Sequence, residues 1–122
     1  MLIKTLREIA ERRRQLVYLA SPYSDTDWQV RLNRFECACK AAAKLMSDGV
    51  FIYSPIAHTH PIALAGSLPP DFDFWAAYDR AILQCCKRMI VLRLPGWEQS
   101  KGVSAELVIA EELGITVEYM DP

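Results

Sequence analysis

The stretch Leu16-Val17-Tyr18-Leu19-Ala20-Ser21-Pro22 decides the fold. A short apolar run closed by a serine and a proline is expected to form a buried strand. Upstream, Leu2, Ile3, Leu6, Ile9 and Ala10 recur at helical spacing, and Arg12, Arg13 and Arg14 follow where a helix macrodipole favours cations. Downstream, the spacing predicts a helix from about Asp27 to Met46 with Phe35, Ala38, Cys39, Ala42, Leu45 and Met46 on one face, stopped by Ser47-Asp48-Gly49. Val50 to Tyr53 reads as a second strand. Ser54 to Pro70, with four prolines, reads as a long connection: a binding loop, a lid or the site of a short extra helix.

The alternation then continues. Pro70-Asp71 opens a helix to about Lys87, and Met89 to Leu94 is a third strand. A turn-rich loop, Pro95 to Gly102, leads to a helix from Val103 to Leu113 that Gly114 ends, and Ile115 to Tyr119 is the last strand. Helix and strand in alternation predict one α/β domain over residues 1–122, a doubly wound parallel sheet in strand order 2-1-3-4 with helices on both faces. The chain reverses direction between the first and third strands, so the expected crevice lies between the loops at Ser21 to Asp25 and Pro95 to Gly102.

Composition narrows the function classes. The chain has 122 residues, 52% hydrophobic, with 14 Lys and Arg against 15 Asp and Glu. Balanced charge argues against a polymeric nucleic acid as partner, and the hydrophobic content argues against disorder. The charged first fifteen residues do not read as a signal peptide, and the prolines and histidines between Gly49 and Pro70 break the longest uncharged run, so no membrane is expected. Cys37, Cys39, Cys85 and Cys86 fit no zinc or redox spacing and read as buried free thiols of a cytoplasmic protein.

Polar residues on apolar stripes are the candidates for chemistry. Asp79 falls inside the stripe of Phe72, Trp75, Ala76, Ile82, Leu83 and Cys86, and Glu106 borders the stripe of Val103, Leu107, Ala110 and Leu113. A carboxylate held against apolar surface must be partnered or protonated, which makes both acids candidates for a perturbed pKa. Tyr18, in an apolar strand, needs a hydroxyl partner, and a carboxylate in the crevice would suit it. Ser100-Lys101-Gly102 at a helix N-terminus suits a phosphate or other anion, and Ser21 and Ser24 converge on the same space. Tyr23, Trp75 and Trp97 are candidates to stack on an aromatic ligand. His58 and His60 would lie on one side of an extended segment. No third ligand has suitable spacing, so a base-contacting or loop-packing role stands ahead of metal, and no metal is expected.

Three segments carry a resemblance. Val17 to Ser24, Tyr78-Asp79-Arg80-Ala81-Ile82-Leu83 and Ser100-Lys101-Gly102-Val103-Ser104-Ala105-Glu106-Leu107 resemble the nucleoside 2-deoxyribosyltransferase superfamily, especially its 2'-deoxynucleoside 5'-phosphate N-hydrolase branch, and a small bacterial and phage family within it. The resemblance implies that Glu106 attacks or stabilises C1' of the sugar and that Asp79 holds the sugar hydroxyls or assists protonation of the base. It implies that Tyr18 positions Glu106, and that Ser21, Ser100 and Gly102 line the 5'-phosphate end. The remaining substrate-binding candidates are Tyr23, Ser24, His58 and Trp75. Ser100 stands where the transferases carry an acidic residue, and Tyr23 where the hydrolase branch carries an arginine. That leaves Arg31, Arg34 or Lys101 to face a phosphate.

The expected activity is therefore cleavage or transfer at the N-glycosidic bond of a nucleoside or nucleoside 5'-monophosphate, without a cofactor, by a homodimer or higher homo-oligomer. Gly102 to Glu106 is also similar to the Gly-Thr-x-x-Glu segment of the cytokinin-activating phosphoribohydrolases, which keeps ribonucleotides among the substrates. The rivals are a non-catalytic nucleotide-binding module and a purely structural domain.

Overall fold

In β1 (Leu16–Ala20), alternate side chains go to opposite sides of a parallel sheet. Val17 and Leu19 join one apolar cluster, and Tyr18 and Ala20 the other. The computed structural model describes residues 2–13 and 15–122. Its further elements are α1 (Leu2–Arg13), α2 (Trp28–Ser47), β2 (Phe51–Tyr53), α3 (Pro55–Gly66), α4 (Phe72–Leu83), β3 (Arg88–Leu92), α5 (Lys101–Leu113) and β4 (Thr116–Met120), with a 3-10 turn at Trp97–Gln99. All strand pairs are parallel, in the order β2-β1-β3-β4, as the sequence predicts.

The register places Tyr18 between Tyr53 and Met89. On one face Val17, Leu19, Ile90 and Leu92 pack with Ala42 and the half-buried Cys37, Ala41 and Leu45 of α2. On the other, Tyr18, Ala20, Met89 and Val91 pack with Leu83 and Cys86, which lie at and just after the end of α4, and with Val103 and Ala110 of α5. Leu6 and Ile9 of α1 are exposed, while the side chains of Leu2, Ile3 and Arg12 to Arg14 lie outside the described residues. No helix among the described residues is long and apolar enough to cross a membrane.

Several boundaries and faces differ from the sequence reading. The expected connection after β2 holds a full helix of 12 residues, α3. Ser54 caps it by accepting a hydrogen bond from the Ala57 N–H, and Pro55 sits at the helix start, where a missing N–H costs nothing. Pro61 is tolerated inside it on the exposed side, so the true loop shrinks to Ser67–Asp71. The helix expected to run to Lys87 ends at Leu83. Met46 and Leu113 are exposed rather than on the inward faces of their helices, and Cys85 is exposed rather than buried.

Candidate functional site

The loops after β1 and β3 open at the switch point of the sheet, where ligands of doubly wound folds bind. With α3, α4 and the start of α5 they enclose a cavity of about 250 Å³. That is near the lower end of small-molecule sites, which run to about 300–1,000 Å³.

Glu106 is the deepest polar group in its wall. It sits on the inward face of α5 with Val103 and Ala110, in helical register three residues after one and four before the other, and is only 4% exposed. The stripe is therefore centred on Glu106 rather than bordered by it. The Tyr18 hydroxyl, on the sheet beneath, donates a hydrogen bond to Glu106 Oε2. Burial pushes the Glu106 carboxyl up to about 8; the Tyr18 hydrogen bond pulls it back and the Asp79 charge pushes it further. Burial, with the two nearby acidic charges, drives the Tyr18 phenol well above its ordinary range, so Tyr18 remains a donor.

Asp79 is the second acid of the cavity. Helical spacing puts it one turn before Leu83, the most buried side chain of α4. Asp79 is 7% exposed, its Oδ1 has no hydrogen-bond partner among the described residues, and burial pushes its carboxyl up to about 6. The buried Ser21 Oγ, on the loop after β1, also lacks a partner and lines the same cavity. Leaving such groups unmet costs about 1–3 kcal/mol each, which a polar ligand or water would recover.

The start of α5 forms a further side. Ser100 caps the helix by accepting a hydrogen bond from the Val103 N–H, so its hydroxyl serves the helix itself. At Gly102 a Cβ would lie 3.3 Å from the Phe72 ring, so the glycine lets α4 and α5 close up at the cavity edge. Residues 15–121 match the model of a family described as a domain of unknown function, DUF1937. The chain belongs to the DUF1937 family. Among curated proteins none matches it. The match takes in all four strands of this DUF1937 chain and every residue of the cavity, and leaves out α1.

Of the residues singled out from sequence, Tyr18 touches Glu106 from below, and Glu106, Asp79, Ser21, Tyr23, Ser24 and Trp75 come together with Ser100 and Gly102 around the cavity. Trp75 is tied through its indole N–H to the Pro69 carbonyl, and the Ser24 hydroxyl donates to the Pro70 carbonyl. His58 does not line the cavity: it is exposed, with Nε2 at 3.1 Å from the Tyr78 hydroxyl. The cavity is lined instead by His60, because a helix separates residues two apart by roughly half a turn, whereas the expected extended segment would have kept the two imidazoles together. Trp97 also lies elsewhere, packed on the core beside Tyr119. Which of the two imidazoles enters the cavity was hidden in the sequence by the proline-containing stretch around them, read as a connection. Ser54-Pro55 as a capped helix start was the signal that would have found it.

The cations considered for a phosphate are engaged. Lys101 lines the cavity and binds Asp73 at 2.9 Å. Arg34 donates to the carbonyls of Tyr23, Ser24 and Pro95, and Arg31 to that of Asp25. No cluster of three or more His, Cys, Asp or Glu suited to a metal occurs among the described residues.

Proposed function

We propose that this protein cleaves or transfers at the N-glycosidic bond of a nucleoside or nucleoside 5'-monophosphate, with Glu106 as the nucleophile or oxocarbenium stabiliser. The observation that supports this reading most is the placing of buried, Tyr18-bonded Glu106 in one small cavity with Asp79, whose Oδ1 is unpartnered. Breaking the C1'–N bond sends its electron pair out with the base and leaves positive charge at C1'. A carboxylate fixed in a buried wall stabilises that charge far better than water does, and can form a bond to C1' that water or a second base then breaks. Tyr18 holds one Glu106 oxygen. Asp79, ionised above about pH 6, accepts a sugar hydroxyl on its free oxygen.

Both carboxylates are then needed as anions. Because Glu106 is the later of the two to ionise, kcat/KM is expected to rise with pH and level off above about 8. A falling limb above about pH 6 would instead make Asp79 the proton donor to the base. The direct test is release of free base from a panel of nucleosides and 5'-monophosphates. Wild type is expected to release base from at least one, and Glu106→Gln to lose about a thousandfold or more in kcat. Tight binding without release would mark a non-catalytic nucleotide-binding module, and absence of both would overturn the reading. A cytoplasmic homodimer accompanies this proposal, and sedimentation tests the dimer.

A further inference from the structure

Tyr23 and His60 line the cavity and have no part in the scheme above. They are nonetheless built to one geometry. His60 is only 6% exposed, and its Nδ1 lies 2.6 Å from the Tyr23 hydroxyl. Its ring is stacked on Phe35 at 4.2 Å and meets the Tyr23 ring edge-on at 5.6 Å. An imidazole held by a stack, an edge contact and a short hydrogen bond has little freedom to turn.

The direction of that hydrogen bond follows from the neighbours. Burial, and the Arg31 cation beside it, lower the His60 imidazole pKa and favour its neutral form, in which one ring nitrogen is an acceptor. The Arg31 guanidinium also lies against the Tyr23 hydroxyl, where it acts against the effect of burial. A cation on that side of the phenol favours its oxygen's lone pairs there, which leaves the phenol proton to His60 Nδ1, 2.6 Å away. Tyr23 thus lines the cavity with a hydroxyl whose proton is already committed. It can accept a hydrogen bond there and cannot readily donate one.

We propose that Tyr23, with its proton held on His60, accepts a hydrogen bond from the exocyclic amino group of the substrate's base and so selects amino-bearing bases over their oxo counterparts. The inference rests on the nucleoside reading and adds the substrate class within it. Deamination keeps the shape of the base but replaces an N–H donor with a carbonyl acceptor at the same position. Two acceptors would then face each other, and a site built for a hydrogen bond discriminates strongly when it is lost. Trp75, tied to the Pro69 carbonyl, offers a ring of fixed orientation in the same cavity for the base to stack on. His60 acts through Tyr23 and is a positioning residue.

The test compares adenine with hypoxanthine nucleosides, and cytosine with uracil nucleosides, in wild type and variants. Wild type is expected to favour the amino member of each pair by about tenfold or more in kcat/KM. Tyr23→Phe should bring the ratio within about threefold, mainly through KM for the amino substrates. Taking each ratio relative to wild type cancels the intrinsic leaving ability of the bases. His60→Phe keeps the stack on Phe35, frees the Tyr23 proton and should erase the preference as well; His60→Gln, which supplies an acceptor, should restore part of it. A melting curve for each variant separates lost selectivity from lost folding, and Tyr23→Phe removes a single hydroxyl. Cleavage with no amino preference, or a preference that Tyr23→Phe leaves intact, overturns this inference and leaves the nucleoside reading standing. If no nucleoside or nucleotide is cleaved or bound, the reading falls and the inference falls with it.

Discussion

The two faces of the sheet are built from the same strands and differ in what their alternate residues bury. Under α2 lie Val17, Leu19, Ile90 and Leu92, a wholly apolar layer. Under α4 and α5 lie Tyr18, Ala20, Met89 and Val91, and the helices above them bring Asp79 and Glu106 into the same layer. The apolar layer of the first face gains burial at about 25 cal/mol per Å². The second accepts the desolvation of two acids, offset in part by the Tyr18 hydrogen bond and by the cavity that opens beside them. The two nearly buried acids share one side of the sheet, while on the other Arg88 is paired with Glu118 at 2.9 Å, so the layer that holds the fold together is set apart from the part available for chemistry.

The contrast breaks most sharply if charge is moved to the wrong face. Leu19→Asp puts a carboxylate at a fully buried position inside the apolar cluster under α2, and is expected to consume most of a stability margin of about 5–15 kcal/mol. Loss of a cooperative thermal transition near neutral pH would show it; a melt within a few degrees of wild type would contradict it.

The next effect is the pH dependence of stability that the carboxylate face imposes. The folded-state pKa of Glu106, about 8, lies above its unfolded value, so its proton is held more tightly in the folded chain. Stability is therefore full below about pH 4.5 and declines as pH rises, until Glu106 is ionised in both states above about 8. Denaturant titrations at pH 5 and pH 8.5 should differ by on the order of 3–5 kcal/mol from this group. Glu106→Gln should remove most of the difference, leaving the smaller decline from Asp79 between about pH 4 and 6. An unchanged slope in that variant would assign the dependence elsewhere.

The smallest effect lies within the carboxylate face. Tyr18→Phe deletes the donor that favours ionised Glu106, so the rise of kcat/KM with pH should move up by about one unit or less. A shift downward would mean that the hydroxyl does not stabilise the anion.

Much of this was legible in the sequence because it follows local periodicity. The apolar runs at Leu16 to Ala20 and Met89 to Leu94, with helical stripes between, give the strand order and its switch point, and the same stripes place Asp79 inward and Glu106 at the border of the buried face. Three things were not legible. The helix α3 was hidden because proline is read as a breaker, although Pro55 lies at the helix start and Pro61 on its outer side. The choice of His60 over His58 depended on that helix, since its rotation decides which imidazole enters the cavity. The exact end of a stripe, as at Leu113, depends on how far the neighbouring element reaches.

By itself the sequence determined the α/β class, the parallel order of the strands and the inward placing of Asp79, because each follows from side-chain period and connection handedness along the chain. Only the tertiary structure decided that Tyr18 meets Glu106 across 88 residues, that Ser21 Oγ and Asp79 Oδ1 find no partner among the described residues around one cavity, and that His60 holds Tyr23 across 37 residues. Those facts depend on the distances and angles between elements far apart in the chain, which no local spacing rule contains.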